Sequence, residues 1–286
     1  MTADSDDRTL LHPSVEREAA SLADITVRPL TTIGECTACV ALQNEVWGFG
    51  DEVPATLLLV APKVGGVAAG AFAPDGTMLG FVFGISGVRD GELVHWSHML
   101  AVREGARNLG VGRTLKEYQR AELRRLGVAR MFWTFDPLVA RNAHLNLNRL
   151  GARAVEYVPD MYGITDSPLH YGIATDRLIV SCSTAAHEPR APDALPNLER
   201  LPVMTPFPHP EDVRLEERAP RPPAVLIEIP ADLAAVVASS PNAAATWRSA
   251  TRDYFQWALQ RGYVVTAFHR DGVTGRAFYV LRQPSA

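Results

Sequence analysis

The sequence has few cysteines, three in 286 residues, and this scarcity excludes a fold that depends on disulfides. Cys36 and Cys39 have C-x-x-C spacing, but a redox or zinc site of that kind requires a thioredoxin-like context or a second pair of ligands. The sequence contains neither. We therefore expect Cys36 and Cys39 to be small buried residues of a helix.

Long apolar runs and an excess of positive charge are also missing. No run of about 18 apolar residues occurs, so no membrane-spanning segment and no membrane partner are expected. The N-terminal residues MTADSDDRTL lack the apolar core of a signal peptide, and the cytoplasm is therefore the expected location. A net charge of -4 argues against a nucleic-acid partner, because proteins of that class are usually basic.

Proline is unevenly distributed and divides the chain. Ten of the 21 prolines lie in residues 183–223, which therefore cannot form a continuous helix or a central strand. We predict a linker or wrapping arm there. Residues 1–24 read as a polar arm, residues 25–182 as the main domain, and residues 224–286 as a smaller α/β extension that packs on it.

The middle of the chain alternates between strand and helix patterns. Apolar runs flank a Pro-Asp-Gly turn and predict a hairpin, which a third strand extends into a meander. The elements predicted in this domain are strands at Ile25–Arg28, Val67–Ala73, Met78–Ser86, Glu92–Val102, Ala129–Phe135 and Ala152–Val158, and helices at Ile33–Trp47, from Pro54, Gly110–Leu126 and Val139–Leu150. This order predicts an α+β fold in which helices cover a mixed sheet.

The loop before the third helix has the strongest functional signal. Backbone N–H groups at a helix start lack intrahelical partners, and the helix dipole adds positive charge there. Gly110 and Gly112 allow a phosphate to approach the backbone, and Arg103, Arg107 and Arg113 add charge. We therefore predict a pyrophosphate-binding site at this loop.

Two common phosphate-binding motifs are not found. The sequence has no P-loop, and Gly110-Val111-Gly112 is followed by Leu115 where a Rossmann fingerprint has glycine. The glycines of residues 65–70 lead into a strand and not into a helix. A nucleotide-binding fold of either kind is therefore disfavoured.

Residues 107–112, R-N-L-G-V-G, resemble the [QR]-x-x-G-x-[GA] signature of the GNAT superfamily of acyltransferases. The similarity extends over residues 25–182 and implies a GNAT-like sheet with acetyl-CoA or another acyl-CoA as co-substrate and no metal. The residues that it implies for the CoA site are Leu100, Ala101, Val102, Arg107, Asn108, Leu109, Gly110, Val111, Gly112, Arg113 and Thr114. The family's helical asparagine aligns near Ala140, and we take Asn142 as its shifted counterpart, with a role at the helix start as the alternative.

The resemblance also implies a reaction. An amine would attack the thioester directly, so that an acetyl or other short acyl group moves to a small molecule. The segments SHML, WTFDPL, RNAHLNLNRLGA and TDRLIV are similar to a GNAT group with a long C-terminal extension, some relatives of which are associated with N-acylation of amino acids, including N-succinylation. Whether the protein is a monomer or a homodimer stays open.

Candidate catalytic residues lie on and after the third strand of the meander. Side chains alternate along a strand, so His95 and His98 face opposite sides; we take His98 as the general base, with a hydrogen-bonded core histidine as the alternative. Many GNAT enzymes have an acid tyrosine where this chain has Leu147, so the downstream Tyr157 and Tyr162 are the substitute candidates, of which we take Tyr162. The same gap supports an alternative function, a non-catalytic acyl-CoA sensor or interaction module.

The acceptor site of a GNAT-like fold lies beside the first two helices. Trp47 is placed to pack on the acceptor, and Asp51 to bind its ammonium, unless Asp51 caps the next helix. Arg248 and Arg252 lie one helical turn apart in the extension. We predict that Arg248 binds a substrate carboxylate, with a solvated basic face as the alternative.

Overall fold

The computed structural model describes residues 24–48, 50, 52–163, 172–185, 198–209, 212 and 221–284. Residues 1–23, most of the proline-rich segment and Asp51 lie outside the described residues. In the described ranges, no helix is long and apolar enough to cross a membrane.

The main domain follows the predicted order of elements closely. Its strands are β1 (Thr26–Pro29), β2 (Val67–Phe72), β3 (Met78–Arg89), β4 (Glu92–Val102), β5 (Arg130–Phe135), β6 (Arg153–Val158) and β7 (Arg177–Ser183). Its helices are α1 (Ile33–Trp47), α2 (Ala55–Val60), α3 (Val111–Arg125) and α4 (Ala140–Ala143), which continues as a π-helical turn over His144–Arg149. The strand β7, which the sequence pattern leaves out, inserts between β5 and β6.

The seven strands form one mixed sheet in the order β1-β2-β3-β4-β5-β7-β6. Only β4 and β5 run parallel. The helices α1 and α2 cover one face of the sheet and α3 covers the other. The predicted fold class, a mixed sheet flanked by helices, is confirmed. The buried faces of α1 and α2 include Cys36, Cys39, Leu42 and Leu58, so the prediction for the two cysteines is also confirmed.

The parallel strands β4 and β5 separate soon after they begin. They pair only from Val94 to Trp96, opposite Arg130 to Phe132. Farther along, β4 stays with β3 as far as Val102, while β5 stays with β7 as far as Phe135. We call this opening the fork. A bulge lies at its start, because Phe83 pairs with Met99 and Gly84 with Ser97, which leaves His98 as the extra residue.

A second sheet follows the proline-rich segment. Its strands are β8 (Val203–Met204), β9 (Ala224–Ile229), β10 (Val264–Arg270) and β11 (Ala277–Arg282), in the order β10-β11-β9-β8, and its helices are α5 (Leu233–Ser239) and α6 (Pro241–Gln260). The strand β8 is a short edge strand within the proline-rich part, as the distribution of proline allows.

The second sheet and α6 share an apolar core with β5, β6 and β7. Phe255 stacks on Tyr157 with ring centroids 5.1 Å apart. The Tyr279 hydroxyl donates to the Pro137 carbonyl at 2.8 Å, and the Asn148 side chain bonds to the backbone of Phe268 in both directions. Residues 224–284 therefore continue the core of the main domain.

Candidate active site

The predicted strand, loop and helix arrangement is present between β4 and α3. A short 3-10 turn, Glu104–Ala106, leads into a loop in which Asn108 and Gly110 have left-handed backbone, with φ of 67° and 84°. Gly110 is the residue before α3. Glycine adopts this conformation without the steric penalty of a Cβ, and this lets the helix begin abruptly with its N–H groups exposed.

The start of α3 offers donors and positive charge. The hydrogen bond from Thr114 N–H to the Gly110 carbonyl closes the first turn, so the N–H groups of Val111, Gly112 and Arg113 precede it. Arg107 is exposed and Arg113 pairs with Glu117 at 2.7 Å. Such a helix start suits a phosphate.

The fork runs directly into this loop. Leu100, Ala101 and Val102 pair with β3 on one side, and on the other side they lie beyond the last β4–β5 pair. A Cβ on Gly112 would lie 3.6 Å from both Leu100 and Val102, so the helix start packs closely against the end of β4. One edge of β4 therefore connects the fork to the anion-binding loop.

His98 occupies the bulge and is exposed. Its ring lies edge-on to Phe83, with centroids 6.3 Å apart, on the side of the sheet covered by α1 and α2. The surrounding protein desolvates the ring and lowers the pKa of His98, so the imidazole is neutral near pH 7. A neutral, solvent-reachable histidine can accept a proton, whereas the alternative of a core histidine applies to His95, which is fully buried.

Tyr157, within β6, and Tyr162, after it, lie in different environments. The Tyr157 hydroxyl is buried and donates to Asp176 at 2.6 Å, and burial raises the pKa of Tyr157 far above its ordinary value. Tyr162 is exposed, and its hydroxyl lies 3.2 Å from Oγ1 of Thr134 at the end of β5. Leu147 is a buried core residue. Tyr162 is thus the one of the two tyrosines that is free to meet a substrate.

The remaining predicted site residues are Asn142, Trp47 and Asp51. Asn142 is half-buried near the start of α4, and its backbone N–H bonds to the Val139 carbonyl. Trp47 ends α1 and packs edge-on against Phe81, with centroids 5.8 Å apart. Asp51 lies outside the described residues.

The prediction for Arg248 requires a correction. Arg248 is only 3% exposed, and it donates to Oδ2 of Asp136 at 2.6 Å, while Arg252 binds Asp176 through two nitrogens. The solvated basic face is wrong for Arg248, because the side chain is buried. Its Nε and Nη1 are buried without a hydrogen-bond partner among the described residues, so binding of a substrate carboxylate stays a prediction. The two arginines join α6 to the loop after β5 and to the residue that precedes β7.

One buried polar cluster was not predicted. Lys116, Arg120 and Arg124 recur every four residues along α3, a spacing typical of one solvated face, but Lys116 is 6% exposed. Its Nζ donates to Oγ of Ser97 at 2.6 Å and to Oε1 of Gln119 at 3.3 Å, and it lies 4.3 Å from the centre of the Trp133 ring. Because charged groups are costly to bury, an ammonium buried between α3 and the sheet is an unexpected feature.

The donors and acceptors of this cluster follow from chemistry. Lysine only donates, so the Gln119 oxygen faces Lys116 and its nitrogen donates to Nε2 of His95 at 3.0 Å. Ser86 gives its one proton to the Gly65 carbonyl, so Nδ1 of His95 donates to Ser86 at 3.0 Å. Burial, with Lys116 nearby, lowers the pKa of His95 to about 3, in agreement with a neutral ring.

We expect Lys116 to make stability depend on pH. Burial lowers the pKa of Lys116 to about 7, whereas an unfolded lysine titrates near 10.4. Between these values the unfolded chain binds more protons, so this group makes the folded state more stable as pH rises from about 7 to 10. In urea unfolding across that window, the free energy of unfolding of the parent should therefore rise relative to that of Lys116→Met. Equal pH dependence in the two proteins would contradict the shifted pKa.

Comparisons with known proteins give the following matches. No protein-family model matches the chain, and no curated protein matches its sequence. A GNAT-family acetyltransferase from Streptococcus pneumoniae is 15% identical with a TM-score of 0.47, over 56% of this chain and 99% of that one. The ribosomal-protein-S18-alanine N-acetyltransferase of Escherichia coli is 18% identical with a TM-score of 0.44, over 58% and 98%.

A third match is Naa50 of Arabidopsis thaliana in complex with a bisubstrate analogue. It is 12% identical with a TM-score of 0.45, over 56% of this chain and 99% of that one. The chain is thus similar to solved acetyltransferase structures, among them a member of the GNAT family, over a little more than half of its length.

Proposed function

We propose that this protein is a CoA-dependent N-acyltransferase that moves an acetyl or other short acyl group to the amine of a small molecule. One observation carries the proposal: the unpaired edge of β4 leads from the fork to the donor-rich start of α3. An acyl-CoA has a pyrophosphate towards one end and a thioester at the other. The pyrophosphate would suit the start of α3, and the thioester would then reach the fork.

The residue types along this path suit the phosphates and the amides of an acyl-CoA. Arg107 to Thr114 would hold the phosphates through the loop and the first turn of α3, since backbone donors and exposed cations both favour anions. Leu100, Ala101 and Val102 would pair with the amides of the pantetheine arm as a strand neighbour would, because their outer edge is not taken by β5. Asn142 is the side-chain candidate for the same arm.

The chemistry follows from the bulge. Attack by the amine on the thioester places negative charge on the carbonyl oxygen, and a backbone N–H of β4 at the fork would stabilise that charge. His98, neutral and exposed, would take the proton that the amine loses. Tyr162 lies near the end of β5 and is one candidate for giving a proton to the CoA sulfur.

The acceptor would approach on the side of α1 and α2. His98 faces that side of the sheet, and Trp47 at the end of α1 offers an apolar surface for the acceptor. Asp51 stays a candidate for binding the acceptor ammonium. Arg248 stays a candidate for binding a carboxylate, because Asp136 accepts from one of its nitrogens and Nε and Nη1 have no partner among the described residues.

A non-catalytic acyl-CoA sensor is the second candidate function, and buried Leu147 in place of an acid tyrosine favours it. Release of free thiol from a panel of acyl-CoAs, each tested against pools of small amines, separates the two functions. Acyl transfer predicts thiol release that depends on both the amine and the protein. CoA binding by calorimetry without thiol release under any combination would establish the sensor instead.

We expect His98→Ala to lower kcat about 100-fold while the affinity for acetyl-CoA stays nearly unchanged, because general-base catalysis typically contributes at least that factor. The deficit should shrink at high pH, where the amine deprotonates without help. His269→Ala, on the second sheet, is the matched control and should behave like the parent. A loss that is independent of pH and comes with a lower Tm would assign His98 a structural role.

A further inference from the structure

Lys116 is an unusual choice of cation in this chain. Of the 28 basic residues only Lys63 and Lys116 are lysines, and Lys63 is exposed. Lysine differs from arginine in that its ammonium readily loses a proton when it is buried. No carboxylate pairs with Lys116 in the described ranges; its contacts are the Ser97 hydroxyl, the Gln119 amide and the Trp133 ring.

The ammonium of Lys116 lies where the fork begins. Trp96 and Phe132 form the last pair of β4 and β5, so Ser97 and Trp133 are the first residues past it on the two strands. The Lys116 Nζ contacts both of these side chains, at 2.6 Å from the Ser97 Oγ and 4.3 Å from the Trp133 ring centre. A buried positive charge therefore spans the two strands at the closed end of the fork, on the α3 face.

The Ser97 hydroxyl has a proton to donate. Its oxygen accepts from Lys116, and its own hydrogen has no acceptor among the hydrogen bonds of the described residues. Ser97 is 5% exposed, so this is a buried donor that an adjacent ammonium polarises. Gln119, held by His95, fixes Lys116 in this position.

We propose that Ser97 donates a proton to the CoA thiolate as it leaves, and that Lys116 restores the proton to Ser97. The inference rests on the proposed acyl transfer and supplies the acid that Leu147 does not. Ser97 is the catalytic residue in this scheme, and Lys116 is the positioning residue that polarises and recharges it.

The step balances in atoms and charge. The N–C bond forms and the C–S bond breaks, with its electron pair going to sulfur. Sulfur takes the proton of the Ser97 hydroxyl, the Ser97 oxygen takes one from Lys116, and Lys116 is left neutral until solvent reprotonates it. The proton of the attacking amine leaves separately, through His98 on the opposite face.

The ionisation of Lys116 suits this task. Burial lowers its pKa to about 7, whereas a thiol ordinarily titrates near 8.5, so transfer of a proton from Lys116 to a thiolate is downhill. The polar chain through Gln119, His95 and Ser86 ends at the Gly65 carbonyl and contains no carboxylate that would keep Lys116 charged.

Steady-state kinetics with acetyl-CoA and an accepted amine test the scheme. Ser97→Ala and Lys116→Met should each lower kcat about 100-fold, with KM for acetyl-CoA changed less than about 3-fold. In the parent, kcat should fall as pH rises through the pKa of Lys116, and Lys116→Met should lose that fall. Lys63→Met, the matched lysine control, should match the parent throughout.

A second measurement varies the leaving group. A CoA analogue whose thiol is more acidic needs less help from an acid, so the loss of kcat in Ser97→Ala and in Lys116→Met should be at least about 10-fold smaller with its acetyl thioester than with acetyl-CoA. If Lys116→Met does not fold, Ser97→Ala, which removes one atom, stands in for it in both experiments.

The possible outcomes distinguish a failure of this inference from a failure of the proposed acyltransferase function. Parent-like kcat in Ser97→Ala together with a large loss in Tyr162→Phe would overturn the inference and assign the acid to Tyr162, with the acyltransferase function intact. Equal losses of kcat with the two donors would overturn it as well. Failure of the parent to bind CoA at all would overturn the proposed function and this inference together.

Discussion

Gly110→Val is expected to lower the affinity for acetyl-CoA by a factor of about 100 or more. Gly110 immediately precedes α3 with φ of 84°, and a phosphate at this helix start must approach its backbone closely. A β-branched side chain there both opposes the left-handed backbone and fills the space that the phosphate needs. Loss of two charge-assisted hydrogen bonds, each worth about 1.5–3 kcal/mol, accounts for at least that factor.

Gly127→Val is the matched control for this experiment. Gly127 lies just past the other end of α3, also exposed, with φ of 74° and no atom within 4 Å of an added Cβ. The two substitutions therefore impose similar backbone strain on the same helix. Calorimetric titration with CoA, alongside Tm, should show a comparable drop in Tm for both and a loss of binding only for Gly110→Val. Equal CoA affinity in the two variants would move the phosphate site away from residues 107–112.

Local patterns predicted much of the fold. Helix α1 and strand β4 have the predicted bounds, because a capping box at Thr32 and Glu35 begins the helix and an apolar run with charged ends marks the strand. The loop before α3 was predictable for the same reason, since glycine spacing and a helix start are local features. The strand β7 was missed because a wholly buried apolar strand has no alternation to mark it.

The fork, the bulge and the Lys116 cluster could not be predicted in the same way. The bulge at His98 depends on how β4 pairs with β3, and the fork depends on where β4 and β5 stop pairing while each keeps its other neighbour, β3 or β7. Lys116 has the periodicity of a solvated face, yet it points to the sheet and contacts residues 19 positions away. Each of these features is set by pairing between distant segments, and a single sequence does not show that pairing.

The ion pairs of Arg248 and Arg252 are a further feature that depends on contacts between distant segments. The spacing of Arg248 and Arg252 correctly suggested that the two act on one face of α6 and that carboxylates are their partners. The sequence did not reveal that the carboxylates are Asp136 and Asp176, which lie 112 and 76 positions away along the chain. Since α6 also places Phe255 on Tyr157, the ion pairs lie at the boundary between the two sheets.

Arg248→Met is therefore expected to reduce the free energy of unfolding by about 1.5–3 kcal/mol, because Asp136 loses its short charge-assisted hydrogen bond and keeps the longer ion pair with Arg177 at 3.7 Å. The side chains of Arg248 and Asp136 are only 4% and 11% exposed. Urea unfolding, followed by circular dichroism, measures the loss. Arg125→Met, which breaks an exposed pair with Glu122 on α3, is the control and should cost at most about 0.5 kcal/mol.

The double variant Arg248→Met with Asp136→Asn decides whether charge or packing is responsible. If the loss comes from the weakened ion pairing of Asp136, neutralising Asp136 should cost less in Arg248→Met than in the parent, with a coupling energy of about 0.5–3 kcal/mol between the two sites. If Arg248 contributes mainly through its buried methylene stem, the two losses should add. Additivity would contradict the ion-pair account, and it would mean that α6 is held to the loop after β5 by apolar contacts such as Phe255 on Tyr157.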